Sequence, residues 1–267
     1  MTSHTAKSGA SWAVVLGVSS GFGAATARRL AADGYDICGV HLDRRSTLDA
    51  ALAVKAEIEA AGRRALFFNV NAADSERRAE VAAALAEAGG PTGVKLLFHS
   101  LAFGSLAPLV GPEEKGSARK SQVEMTLDVM ASSLVYWAQD LCWRGLLGSG
   151  ARVLAMTSAG SHRVTAGYGM VSAAKAALEA YVRQLAFELA PRGIAVNALR
   201  AGVTDTPAVR KIPGWETLIA RAGSINPGGR TTTPEDVAAF VSLLMRPESR
   251  WVSGNVIGVD GGEDVMG

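Results

Sequence analysis

Short, nearly continuous apolar runs alternate along the chain with longer stretches in which apolar residues recur every three or four positions. The short runs predict strands at Trp12–Gly17, Tyr35–Leu42, Arg64–Val70, Val94–Ser100, Ala151–Thr157, Ile194–Leu199 and Asn255–Val259. The longer stretches predict helices over Phe22–Asp33, Thr47–Ala61, Ser75–Ala88, Ser121–Leu147, Tyr168–Ala190 and Pro234–Met245. Strands that are apolar on both faces belong in a parallel sheet covered by helices on each side. The expected fold is therefore α/β: a single-domain, Rossmann-like, doubly wound parallel sheet of about seven strands. No repeat or linker interrupts the alternation, so residues 11–267 read as one domain after a flexible tail, residues 1–10. Two less regular segments, 103–120 and 204–232, follow strands on the edge where such sheets bind ligands.

Composition narrows the functional classes. Of 267 residues, 48% are apolar and 19% charged, enough for a sizeable core. No apolar run approaches the roughly 18 residues of a membrane span. The polar start of the chain lacks a signal-peptide core, which predicts a cytoplasmic protein without a membrane partner. Cys38 and Cys142 lie far apart in apolar surroundings and read as buried thiols. Four scattered histidines have no ligand spacing, so no metal is expected. A net charge of +2, with dispersed basic residues, gives no footprint for nucleic acid.

Three stretches carry candidate chemistry. Gly17-Val18-Ser19-Ser20-Gly21-Phe22-Gly23 joins the first strand to the first helix, where glycines let a pyrophosphate approach backbone N–H groups. The alternative is a glycine-rich turn without a ligand. The second strand ends Val40-His41-Leu42-Asp43-Arg44-Arg45. An acidic residue at this end favours NAD, and a basic one NADP. With His41 at the usual acidic position, Arg44 and Arg45 point to a 2′-phosphate and NADPH, while Asp43 keeps NADH open. The third stretch is Thr157 to Leu189, in which Tyr168 precedes Lys175 by seven residues. Seven residues turn about 700°, so the two side chains would share one helix face about 10 Å apart along the axis. A phenol and an ammonium so placed beside Ser158 form a candidate proton-donor site. An ordinary amphipathic packing residue and a solvated charge are the alternative.

Taken together, these stretches resemble the short-chain dehydrogenase/reductase family over nearly the whole chain. The Gly17 turn, Asn69-Val70, the Tyr–Lys helix, Val196-Asn197-Ala198 with Ala201-Gly202, and Ser253-Gly254 with Val259-Asp260-Gly261-Gly262 carry the resemblance. Within the family the chain is most similar to bacterial enoyl-acyl-carrier-protein reductases. The fourth strand ends His99-Ser100-Leu101-Ala102-Phe103, where ketoreductases carry Asn-Asn-Ala-Gly. Six residues separate Tyr168 from Lys175, where ordinary members have three, and Ala-Gly replaces Pro-Gly after strand six. Ordinary members place the catalytic Tyr where this chain has Val171, and a relay Asn where it has Met130. Ser158, seventeen residues before Lys175, matches their catalytic Ser; it stands where many enoyl reductases have a second Tyr.

The resemblance implies catalytic roles for Tyr168, Lys175 and Ser158. It implies cofactor contacts from Gly17, Ser19, Ser20, Gly21, Phe22, Gly23, Arg44, Arg45, Asn69, Val70, Ser100, Leu101, Ala102, Lys175, Gly202, Val203, Thr204 and Thr206. Phe103 and Ala208–Ile225 would line an acyl pocket, with Trp215 and Ile219 equally readable as core. The implied reaction is NADPH-dependent reduction of the trans-2 double bond of an enoyl thioester, carried on acyl carrier protein or coenzyme A, by a homotetramer. In ketone reduction the proton goes to the oxygen on the carbon that accepts hydride. In enoyl-thioester reduction hydride goes to C3 and charge develops on the thioester oxygen, on C1. A Tyr one turn earlier suits that longer reach. A carbonyl or alcohol oxidoreductase and a non-catalytic nucleotide-binding module are the alternatives.

Overall fold

The computed structural model describes residues 11–266, and the expected tail at 1–10 lies outside the described residues. Seven parallel strands form one sheet: β1 (Trp12–Leu16), β2 (Asp36–His41), β3 (Ala65–Asn69), β4 (Val94–His99), β5 (Leu147–Ser158), β6 (Ala195–Ala201) and β7 (Val256–Val259). Their order is β3-β2-β1-β4-β5-β6-β7, so the winding reverses between β1 and β4. This is the doubly wound architecture expected from the uninterrupted apolar strands. Reversal opens a crevice beyond the carboxyl ends of the strands, the usual ligand position in such sheets.

Alternate residues of each strand feed two separate cores. Trp12, Val14 and Leu16 of β1 face one side, where they pack with α3 (Ser75–Gly89), α5 (Ser133–Trp143) and α6 (Gly169–Leu189). Ala13 and Val15 face the other, against α1 (Gly21–Ala32), α2 (Leu48–Ala60) and α8 (Pro234–Leu244). Among the described residues no helix is long and apolar enough to cross a membrane. Both cysteines are free thiols, Cys38 buried and Cys142 partly so.

The long helix expected over Ser121–Leu147 is shorter and interrupted. It comprises α4 (Lys120–Leu127), a π-helical turn (Asp128–Ser132) and α5, which ends at Trp143. Gly145, at φ 68°, turns the chain and Leu146 and Leu147 enter the core, so β5 begins at Leu147, ahead of the expected Ala151. Helical periodicity continued through Leu146 because a buried turn and a buried helix end look alike in an apolar pattern. Tyr168, expected inside the central helix, is instead the residue that precedes α6, with φ −91° and ψ 0°. Within the segment 204–232 the chain forms an unexpected helix, α7 (Trp215–Ile225), of which Ala222 is the buried residue. Trp215 and Ile219 are partly exposed, so neither belongs to the core.

Trp137 anchors the α5 layer. Its ring is fully buried and its Nε1 donates to the Ala72 carbonyl at 2.8 Å. Trp137→Ala is expected to reduce unfolding free energy by about 3–5 kcal/mol, measured by denaturant titration. A loss below about 1 kcal/mol would mean that this layer does not depend on the indole.

Candidate active site

The turn between β1 and α1 is shaped by close backbone approach. A Cβ on Gly23 would lie 2.0 Å from the Gly17 carbonyl oxygen, and one on Gly17 would lie 2.4 Å from that of Ser100. Ser20 precedes α1 without a side-chain cap, and no acidic residue occupies the first turn. Uncapped N–H groups at a helix start attract an anion, so Ser19 to Gly23 fit a dinucleotide pyrophosphate. The Thr206 methyl lies 3.4 Å from the Cβ position of Gly21, which brings the loop after β6 over this turn. Thr204 is buried and donates to the Gly202 carbonyl at 2.9 Å. Thr206 accepts from the Val209 N–H at 3.3 Å.

At the end of β2 the acidic candidate is turned inward. His41 Nδ1 lies 2.9 Å from an Asp43 carboxylate oxygen. The Asn69 side chain holds the Asp43 backbone on both sides, accepting from its N–H at 2.9 Å and donating to its carbonyl at 3.0 Å. Val70 donates to the His41 carbonyl at 2.8 Å. Asn69 and Val70 thus form the floor of this corner, and Arg44 and Arg45 project into solvent. On the neighbouring strand Ser100 donates its N–H to Leu16; Leu101 packs on the core and Ala102 is exposed.

Around α6 the structure brings Ser158, Tyr168 and Lys175 together at the carboxyl end of the sheet. Ser158 ends β5, opposite Ala201 of β6, and its Oγ accepts the Gly160 N–H at 2.9 Å. The Tyr168 ring lies over Gly160, where a Cβ would come within 2.5 Å of the ring. Burial raises the Tyr168 pKa, and a hydrogen bond from the Ser158 hydroxyl opposes the rise. Lys175 is buried and donates to the Met156 carbonyl at 2.7 Å. Burial pushes its pKa down to about 8, against the pull of the Glu179 carboxylate. Glu179 in turn accepts from the Thr157 hydroxyl at 2.6 Å.

Beside these polar groups stands a wall of hydrocarbon. Val171 and Met130 are both buried, and with Thr126 they press on Gly104, whose Cβ would lie 2.7–2.9 Å from all three. Phe103, next to Gly104, is half-exposed.

Two carboxylates at the end of the chain were not legible as site residues. Glu263 is buried and accepts the Val203 N–H with both oxygens, at 3.1 and 3.0 Å. Asp264 binds Arg163 at 2.9 Å, Arg200 at 2.8 Å and His162 at 3.2 Å, tying the turn after β5 to the end of β6. Sequence offered only the neighbouring Asp260-Gly261-Gly262 as a signal, because these pairs join residues far apart in the chain.

Comparison with known proteins bears on the family and the fold. Residues 17–263 match the sequence model of a family described as enoyl-(acyl carrier protein) reductase. The short-chain reductase protein NovJ of Streptomyces niveus is 29% identical over 98% of this chain and 97% of its own length. The NADH-dependent enoyl-acyl-carrier-protein reductase FabI of Escherichia coli is 32% identical, over 61% of this chain and 62% of its own length. A short-chain dehydrogenase from Burkholderia cenocepacia, solved in complex with NADP, superposes with a TM-score of 0.80 at 31% identity. That alignment covers 95% of this chain and 98% of the other.

The glycine turn gives a direct test of dinucleotide binding. Gly23→Ala is expected to weaken NAD(P)H affinity tenfold or more, about 1.4 kcal/mol, measured by fluorescence titration, with circular dichroism unchanged. Unchanged affinity would remove the turn from the binding site.

Proposed function

Because the chain belongs to the short-chain dehydrogenase/reductase family, in the branch described as enoyl-(acyl carrier protein) reductase, we propose that it is an NADPH-dependent reductase of trans-2-enoyl thioesters. The observation that carries this reading is the position of the Tyr168 phenol at the start of the helix that carries Lys175. Tyr168 precedes α6, and the place one turn later is filled by the buried side chain of Val171. Valine has no proton to give, so the phenol available at this end of the helix is that of Tyr168.

The hydrogen bonds behind Tyr168 are aligned for that task. The Gly160 N–H donates to the Ser158 oxygen; in this reading the Ser158 hydroxyl donates on to the phenol oxygen, which leaves the phenol hydrogen free for substrate. A partly buried phenol with a raised pKa stays protonated at neutral pH and keeps donating. In this reading Tyr168 donates to the thioester oxygen, where negative charge develops as the double bond is reduced. Lys175 holds a positive charge beside it and engages the hydroxyls of the nicotinamide ribose. When bound, the reduced nicotinamide supplies the hydride. Val171, Met130 and Phe103 offer the hydrocarbon surface that an acyl chain needs.

The cofactor reading rests on the corner after β2. With Asp43 held by His41 and Asn69, the groups left facing solvent are Arg44 and Arg45. Guanidinium groups pair well with a 2′-phosphate. The Ser19–Gly23 turn would take the pyrophosphate, and Ser100 to Ala102 and Gly202 to Thr206 would flank the rest of the cofactor. Acyl carrier protein or coenzyme A would carry the substrate. The reading includes a cytoplasmic homotetramer, and the exposed Trp143 on α5 and Phe187 on α6 are apolar surfaces that a second copy could cover.

A carbonyl reductase remains the second reading, since NovJ, aligned over the whole chain, bears only the broader name of reductase. The deciding assay follows NADPH consumption with crotonyl and acetoacetyl thioesters. Turnover of the crotonyl substrate is expected; turnover of only the β-keto substrate would replace the first reading with the second. NADPH binding with no turnover of either would indicate a non-catalytic module. Tyr168→Phe is expected to lower kcat for the crotonyl substrate about a hundredfold or more, about 3 kcal/mol of barrier. A full rate in that variant would clear Tyr168 of the role. Replacing Arg44 and Arg45 together by Ala is expected to raise KM for NADPH about tenfold, with little change for NADH. Equal effects on both cofactors would mean that the pair does not meet a 2′-phosphate.

A further inference from the structure

One fully buried side chain in this site is unused by the chemistry above. His99 ends β4, and the hydrogens around it follow by elimination. In the π-helical turn the Ser133 N–H bonds the Asp128 carbonyl, five residues back. The Val129 carbonyl is taken instead by the Ser133 hydroxyl, at 2.7 Å. A carbonyl can only accept, so the one hydroxyl hydrogen of Ser133 lies on that bond. His99 Nε2 is 2.8 Å from the same hydroxyl oxygen and must therefore carry a hydrogen of its own. Burial and the nearby Lys175 ammonium push the imidazole pKa down to about 3, so the ring is neutral. Its Nδ1 is then a bare lone pair, buried and without a partner among the described residues.

A buried acceptor left without a donor costs about 1–3 kcal/mol, so something should meet it. The strand register indicates what. His99 pairs with Ala155, and the next residue of β5, Met156, gives the carbonyl that receives Lys175. That bond uses one of three ammonium hydrogens. Ser133 lies on α5 and Lys175 on α6, both packed on the same face of the sheet. Met130, buried in the same core, brings no hydrogen-bonding oxygen or nitrogen.

We propose that His99 is a positioning residue for Lys175, its Nδ1 accepting a hydrogen bond from the ammonium through one bridging water. Donors then run in one direction, from Lys175 through water, His99 and Ser133 to the Val129 carbonyl. Every acceptor in that chain turns its negative end toward Lys175 and favours the ammonium form. The chain ends on a carbonyl that cannot pass a proton on, so it holds the charge and does not conduct it. The other charged group that acts on Lys175 is Glu179 on α6, which also favours the ammonium. The proposal rests on the reading of Lys175 as a site residue, and not on which substrate is reduced.

The test is a pH titration of Lys175 by NMR in lysine-labelled protein without substrate. His99→Asn places an amide oxygen near the Nδ1 position; His99→Gln reaches Ser133 but leaves no acceptor there. Gln is expected to lower the Lys175 midpoint by about one pH unit, a tenfold loss of proton affinity, and Asn to leave it near that of the unchanged protein. Ser133→Ala gives an independent arm. It frees the imidazole to carry its hydrogen on Nδ1, and it is expected to lower the midpoint in the same direction. Unshifted midpoints in the Gln and Ala variants would overturn the proposal, as would equal shifts in Asn and Gln, which would indicate space-filling alone. A protein that reduces no enoyl thioester would still give this titration, so the two readings fail separately.

Discussion

An ammonium carried on α6 has to be accommodated at the end of a sheet whose strands are otherwise hydrocarbon. Burying such a charge is costly unless its hydrogens are met. Lys175 meets one with the Met156 carbonyl, beyond which β5 continues only as far as Ser158. That bond fixes α6 against β5, and from it follow the positions of Ser158 below and Tyr168 at the helix start. The cost of burial shows in the Lys175 pKa, lowered to about 8 although Glu179 stands on the same helix. A lysine poised near neutrality answers to whichever acceptors surround it, so small changes in its neighbours have large effects on its charge.

The hydrocarbon around that ammonium is as informative as the polar groups. Val171 and Met130 occupy the places where the family ordinarily has a phenol and an amide, and both press on Gly104. A side chain at 104 would collide with them, so the segment leaving β4 can approach α6 only as glycine. Along α6 the buried side chain of Val171 thus stands between Tyr168 at the helix start and Lys175 one turn further on. A substrate whose charge develops away from the carbon that accepts hydride fits that separation better than a ketone.

The parts of this arrangement that were legible in the sequence share a cause. Strands covered on both faces must be apolar throughout, so all seven could be read from composition alone, and glycine spacing gave the first turn. Tyr168, Ser158 and Lys175 could be singled out as candidates because they lie within one strand–helix unit. What stayed hidden depends on contacts across the chain or on local hydrogen bonding that periodicity does not encode. The π-helical turn exists because the Ser133 hydroxyl takes over a carbonyl that its own N–H has left, and no spacing of apolar residues reports that. Glu263 and Asp264 act on Val203, Arg163 and Arg200, some sixty to a hundred positions away. Tyr168 was expected inside the helix because a residue that starts a helix and one within it differ in dihedral angle and not in composition.

These hidden contacts divide the site into two oppositely directed sets of hydrogen bonds. Behind Tyr168, the Gly160 N–H donates to Ser158, and in the proposed reading that direction continues through the phenol toward the substrate and favours an anion there. Behind Lys175, the proposed chain through His99 and Ser133 runs away from the ammonium, which stabilises a cation. The two sets leave from adjacent strand ends, β5 and β4, and neither shares a member with the other. Each can therefore be altered without rewiring the other. An oxyanion beside a fixed ammonium is favoured by the attraction of the two charges as well as by each set of hydrogen bonds. That attraction is strongest in a site from which water is excluded. Val171 and Met130, both buried, offer no polar group, which makes hydrocarbon at these two places part of the electrostatics of the site.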